Sequence, residues 1–229
     1  MNISKPTESA YYLLEAVRLS GNQTKIVLAG STEVFGSHGK NSITENTLKK
    51  PMSPYAAGKL AQESVVAYYR NSYGTWVSNV HLSNHEYIYR GSEFVTMKIV
   101  NGAYNIAAGK LSRLKLGNLA VIRDWGWAPE FMDALILLSL KDKPEDLIIA
   151  TGSSISLFDF AIEVFNFFGL SFERHVEYDP LLLRMSDPSE VHYDVSKARN
   201  VLGWEAIIKG KDLPKKLAKS FEGLLDANV

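Results

Sequence analysis

Tyr55 and Lys59 stand four residues apart in "SPYAAGK", residues 53–59. In a helix that spacing puts both side chains on one face, about one turn apart. An ammonium beside a phenol favours the phenolate and lowers its pKa from about 10. The expected chemistry is therefore proton transfer by a tyrosine base tuned by a lysine. Such a pair serves hydride chemistry only beside a dinucleotide site, whose usual sign is a glycine-rich turn after a first strand. No Gly-x-Gly-x-x-Gly occurs in the 229 residues.

A second set of polar groups lies upstream. "KIVLAG", 25–30, is a short apolar run that reads as a buried parallel strand. Ser31, Thr32 and Glu33 follow it directly, at the strand's carboxyl end, the edge at which open α/β sheets bind ligands. They bring two hydroxyls and a carboxylate about 20 residues before the Tyr/Lys segment. Ordinary loop polarity accounts for a Ser-Thr-Glu run equally well.

The elements that must position these groups read as alternating helices and strands. Ala10–Leu19 has helical apolar spacing, with Gly21 as its stop. Ser53 is placed to cap, and Pro54 to open, a helix running to about Ser72, with Gly74 ending it. Residues 76–83 read as a strand, 94–109 as a helix, 121–125 as a short strand, 129–140 as a helix and 146–152 as another apolar strand. Ser156 and Asp159 have capping-box spacing before a helix. "FERHVEY", 172–178, alternates like a strand, and 194–202 and 211–225 read as closing helices. The pattern is that of an α/β protein with a mainly parallel sheet. A change of character near residue 150 suggests a boundary between a core, 1–150, and a smaller lobe, 151–229.

The composition narrows the function classes. Lys+Arg and Asp+Glu are both 25, so no basic excess points to nucleic acid or an anionic membrane. The absence of cysteine excludes disulfides, thiolate metal sites and a cysteine nucleophile, and fits a cytoplasmic location. Residues 1–10 lack the apolar core of a signal peptide. The strongest apolar stretch, 132–140, is far shorter than the roughly 20 residues of a membrane span. His81 and His85 are four apart, but a strand and its exit do not make that spacing converge, so no metal site is expected. No G-x-S-x-G elbow is present.

Taken in order, "LLEAVR" (13–18), "STEVFG" (31–36), "SPYAAGK" (53–59), "YRNSYG" (69–74), "NHE" (84–86), "RGSEFVTMKI" (90–99), "LGN" (116–118), "RDWG" (123–126), "PEDLIIATG" (144–152) and "LGW" (202–204) resemble the GDP-mannose 4,6-dehydratases of the extended short-chain dehydrogenase/reductase superfamily. The resemblance implies an N-terminally truncated Rossmann-like parallel sheet with a smaller C-terminal α/β substrate-binding lobe. It also implies substrate-lobe insertions near 86–118 within the core. By that likeness Tyr55 and Lys59 are the catalytic base and its lysine. Ser31, Thr32 and Glu33 match the family's Thr-Ser-Glu triplet, Glu33 acting on the C5 proton. Tyr55, Lys59, His85 and Arg90 match positions that meet NADP or NAD. Asn84, Val95, Lys98, Arg123 and Arg184 match contacts to the GDP-sugar. Asp187 stands where the family has a ribose-binding glutamate, one methylene longer.

The chain departs from that pattern in three places. The opening strand, glycine-rich turn and following strand–helix units are not in it. After "NHE" it reads Tyr87-Ile88-Tyr89-Arg90, without the family's proline and with a tyrosine for one arginine. "LLLRMSDPSEVHYD" keeps Arg184 and Asp194 in register but loses the usual Arg-Pro. Without the preceding strands "KIVLAG" is a sheet edge, which needs cover from the N-terminal segment, a second copy or a partner chain. The resemblance thus leaves three readings open: a dehydratase completed by a partner or second copy, an inactive GDP-sugar-binding or regulatory homologue, or a fragment of a longer enzyme.

Overall fold

The computed structural model describes residues 4–182 and 190–226. Helix α1 (Lys5–Ser20) carries a proline in its first turn and ends at Gly21, whose φ of 68° allows its N–H to reach the Arg18 carbonyl. Strand β1 (Ile26–Ala29) follows, then a 3₁₀ turn at Thr32–Phe35 and the two-residue β2 (Ser42–Ile43). Helix α2 (Pro54–Tyr73) begins as expected: Ser53 Oγ accepts from the Ala56 N–H at 3.0 Å, and Gly74 closes it at φ 66°. Strand β3 (Val77–Leu82) leads into β4 (Asn84–Glu86), helix α3 (Val95–Ala107) and β5 (Leu114–Leu116).

The expected strand at 121–125 is two strands, β6 (Ile122–Arg123) and β7 (Trp125–Trp127). Asp124 divides them. Its buried carboxylate accepts from the N–H groups of Thr151 and Gly152 at 2.9 and 2.8 Å, which turns the chain between two different pairings. Helix α4 (Ala128–Ser139), β8 (Ile148–Ile149), β9 (Ile155–Ser156) and α5 (Leu157–Phe167) follow, and Ser156 caps α5 by accepting from the Asp159 N–H. The alternation at 172–178 is misleading. Phe172–His175 is a helical turn, α6, and only Val176–Tyr178 is strand, β10. Ser171 caps that turn, and the Phe172 ring packs edge-on against Phe158 and Phe165, so packing overrides the period-two pattern. Strand β11 (His192–Tyr193), helix α7 (Ser196–Leu202) and helix α8 (Asp212–Asp226) close the described chain.

The central sheet runs β1-β3-β8, all parallel. β3 is buried along its whole length, and its side chains alternate between two helical layers. Val77 packs with Leu14 of α1 and Val66 and Tyr69 of α2. Val80 and Leu82 pack with Phe131, Ala134 and Leu138 of α4, and with Ala198 and Leu202 of α7. Side chains from both sides of residue 150 therefore share this core. A separate apolar cluster joins α3, α5 and α8 around Ile99, Val100, Phe160, Phe165 and Leu217.

Among the described residues β1 is one edge of the central sheet and β8 the other. The Ile26 and Gly30 N–H groups donate to Trp76 and Val80 carbonyls of the β3 side, so by alternation Val27 and Ala29 turn their backbone groups outward. Among the described residues no helix is long and apolar enough to cross a membrane.

Candidate active site

The chain leaves β1 through Gly30, where a Cβ would lie 2.8 Å from both Asn79 Nδ2 and the Val80 carbonyl. Ser31 then caps the 3₁₀ turn, its Oγ accepting from the Glu33 N–H at 3.2 Å. This hands three side chains to different surroundings. The Ser31 hydroxyl lies close enough to the Tyr55 phenol to favour its ionised form. Thr32 is buried; its Oγ1 donates to the Leu82 carbonyl at 3.3 Å and also meets the Tyr193 phenol. Glu33 accepts from Ser53 Oγ at 3.4 Å, so the residue that caps α2 also reaches the carboxylate.

Thr32, Glu33 and Tyr55 line one cavity of about 960 Å³. Asn84, Arg90, Val95, Lys98 and Arg123 line the same cavity. Eight of the expected site residues thus meet in one place, brought from the end of β1, the first turn of α2, β4, the start of α3 and β6. Ser31, Lys59 and His85 are not among the residues that line it. His85 Nδ1 pairs with the Ser83 carbonyl at 2.8 Å and its ring lies against Phe131; burial pushes the imidazole below its ordinary value. Arg184 and Asp187 lie outside the described residues.

The electrostatics of the Tyr/Lys pair differ from the sequence expectation. The Tyr55 phenol is pushed above its ordinary value, first by burial; the Ser31 hydroxyl opposes that shift, the Glu33 charge adds to it and Arg90 opposes it. The Lys59 ammonium is not hydrogen-bonded to it. The ammonium turns instead to the outward carbonyl of Ala29, at 2.6 Å, and to Gln62 Oε1, at 3.2 Å, and sits 5.9 Å from the Tyr55 ring centre. Burial pushes the Lys59 ammonium below its ordinary value.

Arg90 is held from three sides. Nη1 donates to the His85 carbonyl at 3.0 Å, the guanidinium lies 3.9 Å over the Phe94 ring, and Nε is 3.2 Å from Glu86 Oε2. That last approach is ionic, since Nε forms no hydrogen bond. Glu86 is buried and accepts from Thr96 Oγ1 at 2.7 Å; burial raises its carboxyl to about 7 against the pull of Arg90 and Thr96.

Sequence reasoning missed Ser53, Glu86 and Tyr193, all of which line the cavity. Ser53 was absorbed by its capping role. Glu86 lay inside the quoted "NHE" without a chemical assignment. Tyr193 comes from β11, which pairs with Ile43 of β2, a contact between residues 150 apart that no local pattern announces. Burial pushes its phenol up to about 12. The described residues hold no cluster of three or more metal-ligating side chains.

A sequence profile described as GDP-mannose 4,6 dehydratase matches residues 6–217. GDP-mannose 4,6 dehydratase 2 of Arabidopsis thaliana is 38% identical over 229 residues, covering 95% of this chain and 61% of the relative. The enzyme of that name from Sinorhizobium fredii is 34% identical, covering 90% of this chain and 64% of the relative. The chain therefore spans less than two thirds of the length of these curated relatives. Among solved structures, RMD from Pseudomonas aeruginosa complexed with NADPH superposes with a TM-score of 0.85 at 19% identity, over 94% of this chain and 72% of that one. The dTDP-glucose 4,6-dehydratase of Bacillus anthracis in complex with NAD gives 0.83 at 21%, over 95% and 67%. At those identities the superpositions establish the fold, an α/β Rossmann-like parallel sheet. The profile match over nearly the whole length shows that this chain belongs to the GDP-mannose 4,6 dehydratase family.

Proposed function

We propose that the chain carries the catalytic and sugar-nucleotide-binding part of a GDP-mannose 4,6-dehydratase, which removes water across C5 and C6 of the hexose with a transient oxidation at C4. One observation supports this above the others: the Glu33 carboxylate and the Tyr55 phenol line a single cavity together with three cationic side chains, Glu86, Glu93 and the Tyr193 phenol. In this reading Tyr55 accepts the proton of the 4-hydroxyl, and the Ser31 hydroxyl steadies the phenolate as it forms. Glu33, oriented by Ser53, takes the C5 proton. Thr32 is committed to Leu82 and Tyr193, so it fixes the turn that carries Glu33.

Arg90, Lys98 and Arg123 are the cavity's cationic groups for a diphosphate, set among the carboxylates Glu33, Glu86 and Glu93. The start of α3 adds to it: Phe94 provides no side-chain cap, so the first N–H groups of the helix remain for an anion. Asn84 and Val95 border the nucleotide sugar, and Arg184 and Asp187 are assigned to the GDP by their place in the family pattern.

A nicotinamide dinucleotide, NADP or NAD, supplies the hydride acceptor and donor when bound. The residues present fit its nicotinamide–ribose end. Lys59 has three N–H donors and two oxygen acceptors, which leaves one donor for a ribose hydroxyl. His85 and Arg90 complete that side. The usual pyrophosphate cradle is not among the 229 residues. The open edge of β1 adjoins this place, and we assign its cover to a second copy or a partner chain. A cytoplasmic location, with neither nucleic acid nor membrane as partner, fits a cysteine-free chain of zero formal charge.

A second reading is a GDP-sugar-binding homologue without turnover. It is favoured by the raised Tyr55 phenol and by the turning of Lys59 towards Ala29. Incubation with GDP-mannose and NADP, followed by mass spectrometry, separates the two. A product lighter by one water supports the dehydratase. Calorimetric binding of GDP-mannose with no water loss, in samples that also bind NADP, supports the binder, and neither binding nor loss sinks both.

A further inference from the structure

Gln62 lies on α2 three residues beyond Lys59 and is 4% exposed. Its Nε2 donates to Asn79 Oδ1 at 2.9 Å and to the Ala29 carbonyl at 3.1 Å. Both partners are acceptors, so the other end of the amide, Oε1, must face the ammonium of Lys59, and it does so at 3.2 Å. Lys59 itself donates to the same Ala29 carbonyl at 2.6 Å. Lysine, glutamine and carbonyl close a ring whose anchor, Asn79, belongs to the buried strand β3.

A buried amide is costly unless each end is bonded, and Gln62 is also the partner of the buried Asn79 Oδ1. Here each end is bonded: Nε2 to Asn79 Oδ1 and the Ala29 carbonyl, and Oε1 to the Lys59 Nζ, which shares that carbonyl. Burial disfavours that ammonium. It is held by oxygens of two dipoles.

We propose that Gln62 is a positioning residue for Lys59: its amide oxygen and the Ala29 carbonyl together hold the ammonium charged at the carboxyl end of β1, with the third N–H donor left for a hydroxyl of a bound nicotinamide nucleotide. The ligand clause rests on the cofactor assignment above. The positioning clause does not.

Competitive labelling with trace acetic anhydride between about pH 7 and 11, read by peptide mass spectrometry, follows the titration of Lys59 without any turnover. Loss of the amide oxygen in Gln62→Leu is expected to lower the Lys59 midpoint by about one pH unit, and the carboxylate of Gln62→Glu to raise it by at least as much. Gln62→Glu keeps the side-chain shape, and thermal unfolding of each variant separates a folding defect from a charge effect. Equal Lys59 midpoints in the three folded proteins overturn the positioning role. In the same samples NADPH affinity, read by fluorescence titration, is expected to weaken about threefold in Gln62→Leu, roughly 0.7 kcal/mol. Unchanged affinity, or no NADPH binding by the unsubstituted chain, overturns the ligand clause. A chain inactive on GDP-mannose sinks the dehydratase reading and leaves the labelling result decisive.

Discussion

Glu86 and Thr96 are joined by a 2.7 Å hydrogen bond that ties β4 to the first turn of α3, with the guanidinium of Arg90 pressed against the same carboxylate oxygen. Burial raises the Glu86 carboxyl from 4.5 to about 7. Between those values the folded chain keeps a proton that the unfolded chain has lost. Folding is therefore favoured below about pH 4.5 by this group, and the contribution disappears as pH rises through about 7. Glu86→Gln retains an acceptor for Thr96 and cannot titrate. The stability of the parent relative to the variant is expected to fall by roughly 1–3 kcal/mol between pH 5 and pH 8. Urea unfolding of both proteins at the two pH values checks this, and a difference independent of pH refutes it.

Gly30 sits where β1 hands the chain to the catalytic turn. An alanine Cβ there meets the Asn79 amide and the Val80 carbonyl at 2.8 Å, and a backbone oxygen in a parallel ladder has nowhere to go. Gly30→Ala is expected to cost roughly 1–3 kcal/mol, or about 2–4 °C in Tm for each kcal/mol. Thermal unfolding measures it. A midpoint at the parent value means that the close approach of β1 and β3 is not as tight as the geometry shows.

What was legible in the sequence had local causes. Ser53, Pro54 and Gly74 mark the ends of α2 through caps that act within a few residues. Tyr55 and the Ser31-Thr32-Glu33 turn could be placed because a helix period and a strand end are local features as well. The direction of Lys59 was not legible. Four carbons let the ammonium choose among acceptors, and the chosen one, the Ala29 carbonyl, is free only because β1 is an edge. The same holds for His85, whose ring answers to Phe131 of α4 across the sheet, and for Tyr193, which enters the site from a strand near the other end of the chain. Phe172 was misread because alternation says which side chains are apolar, not whether Ser171 will cap a turn beneath them.

Tyr55→Phe removes one oxygen from the cavity and leaves its shape. If Tyr55 is the base, turnover of GDP-mannose by the completed enzyme is expected to fall roughly 100- to 10,000-fold, with binding of GDP-mannose changed little. The parent rate should climb with pH across the neutral and mildly alkaline range, because burial holds the phenol above its ordinary value and it must ionise to act. Steady-state rates against pH, with calorimetric binding alongside, test both statements. A parent profile flat in pH, with Tyr55→Phe still active, removes the tyrosine from the reaction.

The open edge of β1 gives the last prediction. Val27 turns its N–H outward by the same alternation that points Ile26 and Gly30 at β3, so proline at 27 removes no bond of the central sheet. It does remove a donor that any added strand would use. Edge strands of this kind, short and apolar, pair with another chain unless something blocks them. The parent is expected to be larger than a monomer at micromolar concentration, and Val27→Pro to shift it towards the monomer while its circular dichroism stays that of the folded chain. Light scattering after size exclusion reads the mass directly. A parent that is already a single monomeric species shows that α1 and the Lys59 and Gln62 side chains cover the edge from within, and no second copy is needed there.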